Sequence, residues 1–158
     1  MASVKPIPDG YSTVTPYLFI KGAADAIDYY KKIFGAKEIM RMNAPGGMVA
    51  HAELRIGDSM IMLGDESPQW GTKGPKTLGG SAASLHVYVD DVDSVVQAAL
   101  ASGSQLIRPV KDQFYGDRSG TVTDPFGHIW SVATHIEDVA PEEMEKRMAA
   151  VMSQTAGS

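Results

Sequence analysis

The sequence has no cysteine, which excludes disulfides, thiolate nucleophiles and thiolate metal ligands together and suits a reducing compartment. Any metal ion would have to be held by His, Asp or Glu. There is no run approaching the roughly 18 apolar residues of a membrane span. The N-terminal MASVKPIPDGY has no hydrophobic signal segment, so a cytoplasmic protein is expected. Positive charge is dispersed: the net charge is −5 and no basic block occurs, which argues against nucleic acid or an anionic membrane as the partner. Gly22 precedes the first helix alone, without P-loop or dinucleotide spacing. What these absences leave is a small molecule.

At 158 residues and 44% hydrophobic content, the chain is long enough for one well-buried domain. Residues 1–12 read as an extended arm, and Thr13–Ile20 as a strand in which Pro16 needs an edge or a start. Ala23, Ile27, Tyr30 and Phe34 recur at helical spacing before Gly35. Strands follow at Glu38–Met42, Val49–Ile56 and Met60–Leu63, so the first half, 12–64, reads β-α-β-β-β. Residues 65–83 are a Gly/Pro-rich connection whose large apolar residue, Trp70, is expected to pack on its own or a partner subunit, or to close a pocket.

The pattern then restarts over 84–136: a strand at Ser84–Val89, a helix from Val92 to Leu100, a strand at Gln105–Pro109 and the hairpin around Asp124-Pro125-Phe126-Gly127. Val89 follows Ile20 by 69 residues and Gly103 follows Gly35 by 68, so the halves are a diverged duplication. Each half would be a sheet with a helix on one face and the other face bare, and two bare faces can enclose a cleft. Residues 137–158 add a helix from Pro141 and a tail. Its face of Met144, Met148, Val151 and Met152 is expected to pack, the alternative being a grip on a ligand or second subunit.

The phrases TPYLFIKGAADAIDYYKKIFGA, HAELRIGDSMIML, LHVYVDDVD and FYGDRSGTVTDPFGH together resemble the vicinal oxygen chelate superfamily (glyoxalase I, bleomycin-resistance proteins, extradiol dioxygenases), and more narrowly its PhnB-like branch. The resemblance implies an α+β fold of two β-α-β-β-β modules forming a curved, incomplete barrel, a concave small-molecule pocket and a homodimer. Metal-dependent members place His or Glu at four positions, which correspond here to Thr15, Met62, Ser84 and Ser131. Hydroxyls and a thioether are poor ligands for a hard or borderline divalent ion, so no metal or other cofactor is expected, a divalent ion being the alternative.

Strand parity puts Thr15, Tyr17, Phe19, His51, Glu53, Arg55, Met60, Met62, Ser84, His86, Tyr88 and Ser131 on the bare faces as candidate ligand-binding residues. Leu18, Ile20, Leu54, Ile56, Leu63, Val87, Trp130 and Val132 would face the helices. His86 and Glu53 are the candidate acid/base groups, or with His51 a relocated metal site. The dull alternative for His51, Glu53 and Arg55 is a solvated edge strand. Arg118 would anchor an anion or pair with Asp117 or Asp124. The expected function is metal-independent binding of a hydrophobic or aromatic small molecule, with a lyase, isomerase or dioxygenase as the alternative.

Overall fold

A computed structural model describes residues 3–157. Met1 and Ala2 of the expected arm and Ser158 of the tail lie outside the described residues. The chain divides into two compact units, one reaching Ala83 and including Pro125–His128, the other made of Ser84–Asp124 and the chain from Ile129 onward.

The first unit holds strand β1 (Tyr17–Ile20), helix α1 (Ala23–Phe34), β2 (Lys37–Ala44), β3 (Met48–Ile56) and β4 (Ser59–Asp65). Its four-stranded sheet has the order β1-β4-β3-β2, with β1 parallel to β4 and the other pairs antiparallel. Helix α1 buries Ala23, Ala26, Ile27, Tyr30 and Ile33 over Leu18, Ile20, Leu54 and Leu63, an apolar layer without polar interruption. It stops at Gly35, whose φ of 62° only glycine adopts without strain and whose N–H returns to the Tyr30 carbonyl.

Gly22 offers no side chain to cap α1, and Asp65 at the end of β4 supplies one instead. Its Oδ1 accepts the N–H groups of Gly22 (3.0 Å) and Ala23 (2.9 Å), while Oδ2 accepts that of Val49 (2.7 Å). A cavity of about 440 Å³ opens beside this helix start, but the carboxylate already occupies the place where an anion would sit.

The second unit repeats the plan with β5 (Ser84–Tyr88), α3 (Val92–Ala101), β6 (Gln105–Asp112), β7 (Asp117–Thr123) and β8 (Ile129–His135), in the order β5-β8-β7-β6. Trp130 is core, as its position beneath α3 predicts, with its indole N–H donating to Asp124 at 2.9 Å. The hairpin turn after Asp124 packs into the first unit: Phe126 meets Tyr29 and Tyr30 edge-on at ring separations of 6.1 and 6.5 Å. A Cβ on Gly127 (φ 94°) would stand 2.9 Å from that of Pro75.

Three expectations need correction. The first strand begins at Tyr17 rather than Thr13, because Pro16 and the residues before it donate nothing to the ladder. The 65–83 connection carries a 3₁₀ turn at Pro68–Trp70 and the short helix α2 (Pro75–Leu78). Trp70 at its crest is 76% exposed and so does not pack on its own chain. The terminal helix α4 (Pro141–Thr155) forms as predicted, but Met148, Val151 and Met152 are exposed rather than packed. What holds α4 is polar: Arg147 donates to Glu137 at 2.8 and 2.9 Å, to Glu143 at 3.1 Å and to the Phe114 carbonyl at 3.3 Å.

Candidate functional site

Register decides which side chains share a face. In the first sheet Tyr17, Met62, Glu53 and Met40 form one row across β1, β4, β3 and β2, and Leu18, Leu63, Ala52 and Arg41 form the next. The face away from α1 therefore carries Tyr17, Phe19, His51, Glu53, Arg55, Met60 and Met62, the parity read from alternation. Thr15 precedes the strand, and its hydroxyl donates to the Ser12 carbonyl at 3.1 Å.

The polar side chains of this face form a continuous chain. Tyr17 Oη lies 2.9 Å from His51 Nδ1, His51 Nε2 lies 3.1 Å from Glu53 Oε1, and the Tyr11 hydroxyl donates to Glu53 Oε2. The neutral imidazole with its proton on Nε2 satisfies every partner: Tyr17 donates to Nδ1, and Nε2–H donates to the carboxylate. The Tyr11 hydroxyl holds the Glu53 carboxyl below its usual range, and His51 helps, against the opposing effect of burial. Burial first, then Glu53, pushes the Tyr11 phenol up to about 12, and burial raises Tyr17. Both phenols are donors at neutral pH.

Tyr11 reaches Glu53 from the N-terminal arm, which the sequence presented only as an extended segment. A Cβ on Gly10 would lie 3.1 Å from the Arg55 guanidinium, so the arm runs close over this part of the face. Met60, opposite Arg55 in the register, is buried there. The solvated-edge reading of His51, Glu53 and Arg55 fails, since β3 is an interior strand flanked on both sides and all three residues are half-buried.

In the second sheet His86, Ser131, Thr121 and Arg108 make one row, and Tyr88, Ala133, Ser119 and Lys111 the next. His86 Nδ1 lies 2.9 Å from Ser131 Oγ, and its ring stands edge-on to Tyr88 at 4.8 Å. The Tyr88 hydroxyl donates to Asp117 at 3.0 Å, and the buried Asp117 also meets His135 Nδ1 at 2.7 Å. The contact with Asp117 raises the Tyr88 phenol. Asp138 first, then Asp117, raises the His135 imidazole. Ser84 is exposed at the start of β5.

Of the four places that the resemblance assigns to metal ligands, Thr15 is tied to backbone, Ser131 to His86, and Met62 and Ser84 bring a thioether and an exposed hydroxyl. Among the described residues no three His, Asp or Glu side chains gather as a cation would require. These residues do not fit a divalent ion. Arg118 pairs with Asp93 (2.8 and 2.9 Å) and Asp112 (2.9 Å), not with Asp117 or Asp124, and is too fully engaged to anchor a ligand.

The sequence profile of the Glyoxalase/Bleomycin resistance protein/Dioxygenase superfamily matches residues 12–132. An uncharacterized protein of Mycobacterium bovis is 41% identical over 139 residues, covering 86% of this chain and 91% of its own. Protein YjdN of Escherichia coli is 28% identical over 75% of this chain and 92% of its own. Among solved structures, a gene product of Arabidopsis thaliana superposes with a TM-score of 0.64 at 26% identity, covering 78% of this chain and 98% of its own. The PhnB protein of Bacillus cereus superposes at 0.59 with 21% identity, over 78% and 99%.

Proposed function

The chain belongs to the glyoxalase/bleomycin resistance protein/dioxygenase superfamily, and on that premise we propose that it is a metal-independent small-molecule-binding protein. One observation carries the reading: at the four places that the resemblance assigns to cation ligands this sequence has Thr15, Met62, Ser84 and Ser131, none of which carries imidazole or carboxylate. The apolar part of the ligand is assigned to the first sheet, where the rings of Tyr17 and Phe19 lie tilted to each other at 5.1 Å and remain more than a third exposed, with Met62 opposite Tyr17 in the register. A cytoplasmic homodimer is part of the proposal. The uncovered Met148, Val151 and Met152 of α4 and the exposed Trp70 support the second copy, and the lack of cysteine supports the compartment.

Metal analysis of protein purified without chelator tests the central statement. The expected result is no stoichiometric zinc, nickel, manganese or iron after dialysis; a retained equivalent of any of them overturns it. A thermal-shift screen of aromatic compounds tests the second part, since a ligand that binds only the folded state raises its apparent stability.

A second reading, a lyase or isomerase, is favoured by the Tyr17–His51–Glu53 chain. Glu53 has both oxygens engaged and a depressed pKa, which suits it to orient His51 rather than to take a proton itself. His86 shares a hydrogen bond with the Ser131 hydroxyl and stands edge-on to the Tyr88 ring. In this reading His51→Ala removes turnover and His86→Ala does not; the reverse pattern would shift the chemistry to the second sheet.

A further inference from the structure

The face of the second sheet away from α3 holds a cavity of about 410 Å³ lined by Arg108, Lys111, Gln113, Tyr115, Thr121 and Ser131, among others. From this we infer that the second sheet carries a subsite for an oxyanion, that is, for the carboxylate, phosphate or phosphonate group of a small ligand. The inference rests on the reading of the protein as a small-molecule binder and adds a charge requirement to it.

The local backbone brings the two cations together. Arg108 and Lys111 are three residues apart, and plain alternation would send them to opposite faces. The register slips between them, so that Arg108 pairs with Thr121 and Lys111 with Ser119. Because Thr121 and Ser119 are two apart on β7 they share a face, and so do the two cations. The slip accommodates Pro109, whose missing N–H is tolerated at a bulge.

Charge and hydrogen-bond inventory then point to an anion. Among the described residues neither Arg108 nor Lys111 forms an ion pair, while the adjacent Asp112 is held by Arg118 at 2.9 Å. Asp117, the buried carboxylate further along the same face, has its two oxygens engaged by Tyr88 and His135. Two like charges held close on one face of a single strand repel unless something negative lies between them. The guanidinium offers a planar fork, the ammonium a compact charge, and Thr121, Ser131, Tyr115 and Gln113 add neutral donors. A cavity of about this size is in the usual range for small ligands. Ser131, the fourth of the implied cation-ligand places, thus lies in a positively charged pocket, where a cation would be repelled.

The test is a two-dimensional NMR titration of the full chain with inorganic phosphate and, separately, acetate, each against chloride at constant ionic strength. The expected result is saturable shifts at the amides of Lys111, Thr121 and Ser131. They should weaken about tenfold or more in Arg108→Gln/Lys111→Gln and stay unchanged in Lys32→Gln, on the exposed side of α1. Preference for phosphate or for acetate separates the two ligand chemistries. If the double variant does not fold, Lys111→Gln alone and Thr121→Val serve in its place. Shifts that never saturate, that scatter over surface lysines, or that persist in the pocket variants overturn the inference. A neutral aromatic probe, benzamide, separates the two proposals. Benzamide shifts at Tyr17 and Phe19 with phosphate silent sink the oxyanion site alone. Pocket-specific phosphate binding with every aromatic compound silent sinks the aromatic assignment alone.

Discussion

The two sheets have the same connectivity and carry different chemistry on the faces their helices leave open. The first joins Tyr11, Tyr17, His51 and Glu53 in one hydrogen-bonded chain; the second, beside its own Tyr88–Asp117–His135 chain, presents the cations Arg108 and Lys111, which form no ion pair among the described residues. Equivalent positions make the divergence concrete. Tyr17 is replaced by His86 and Met62 by Ser131, each pair 69 residues apart, while His51 and Glu53 answer to Ser119 and Thr121 across 68. The helix-side residues changed less in kind: Leu18 becomes Val87 and Leu63 becomes Val132. Packing tolerates only apolar groups of similar volume, whereas an open face is free to change its charge.

The sharpest way to test this comparison is at the helix starts, where Asp65 and Thr134 are themselves equivalent. Asp65 accepts three backbone N–H groups, while Thr134 accepts one, from Val92 at 3.0 Å, and donates to the Val89 carbonyl at 2.9 Å. Helix α3 also has its own cap in Asp91, which accepts the Ser94 N–H at 3.2 Å. Urea denaturation should therefore find Asp65→Ala destabilising by about 2–4 kcal/mol and Thr134→Val by about 1 kcal/mol. Equal losses would mean that the caps are not what distinguishes the units.

Next in size is the arm. Tyr11→Phe removes a hydrogen bond to a carboxylate and should lower stability by about 1–2 kcal/mol. The effect should depend on pH at both ends. The raised Tyr11 pKa makes its contribution complete below the ordinary phenol value of about 10 and lost as pH rises through about 12. The depressed Glu53 pKa makes its contribution present above the ordinary carboxyl value of about 4.5 and lost as the pH falls through the lower folded value. A wild-type and Tyr11→Phe difference that stays flat from acid to alkali would remove the Tyr11–Glu53 contact from the energetics.

A smaller effect is expected at Ser131→Ala, within about 1 kcal/mol, because the His86 ring that it contacts is exposed to water. A loss as large as that of Asp65→Ala would indicate that the second face is as tightly tied as the first. Trp70→Ala should leave monomer stability within about 0.5 kcal/mol and, if the helix and loop faces meet a second copy, lower the apparent mass in light scattering.

Alternation and turn chemistry made the strands, both modules and the facing of Tyr17, Glu53 or Trp130 legible in the sequence, since parity is a local property. Three things were not local. The sequence placed His51, Glu53 and Arg55 on a strand but could not say that β2 would flank it and make it interior. Tyr11 sits 42 residues from its partner Glu53 in a stretch without periodicity, so nothing marked it. Arg108 and Lys111 escaped notice because the alternation that exposed the other candidates is interrupted by the slip at Pro109, which only the pairing with Thr121 and Ser119 makes visible. The helix face of Met148, Val151 and Met152 was read as packed because apolar periodicity reports which residues share a side, not whether anything covers it.

The turn at Pro125–His128 has a consequence in time. The first unit counts those residues among its own, with Phe126 against Tyr29 and Tyr30, although its other segments end at Ala83. At about 5–20 residues per second, the ribosome adds the 45 residues from Ala83 to His128 over several seconds, during which that side of α1 lacks its last aromatic neighbour. The earlier half is thus begun first and finished late, and a gene split between the modules would give an N-terminal fragment deprived of part of its own core.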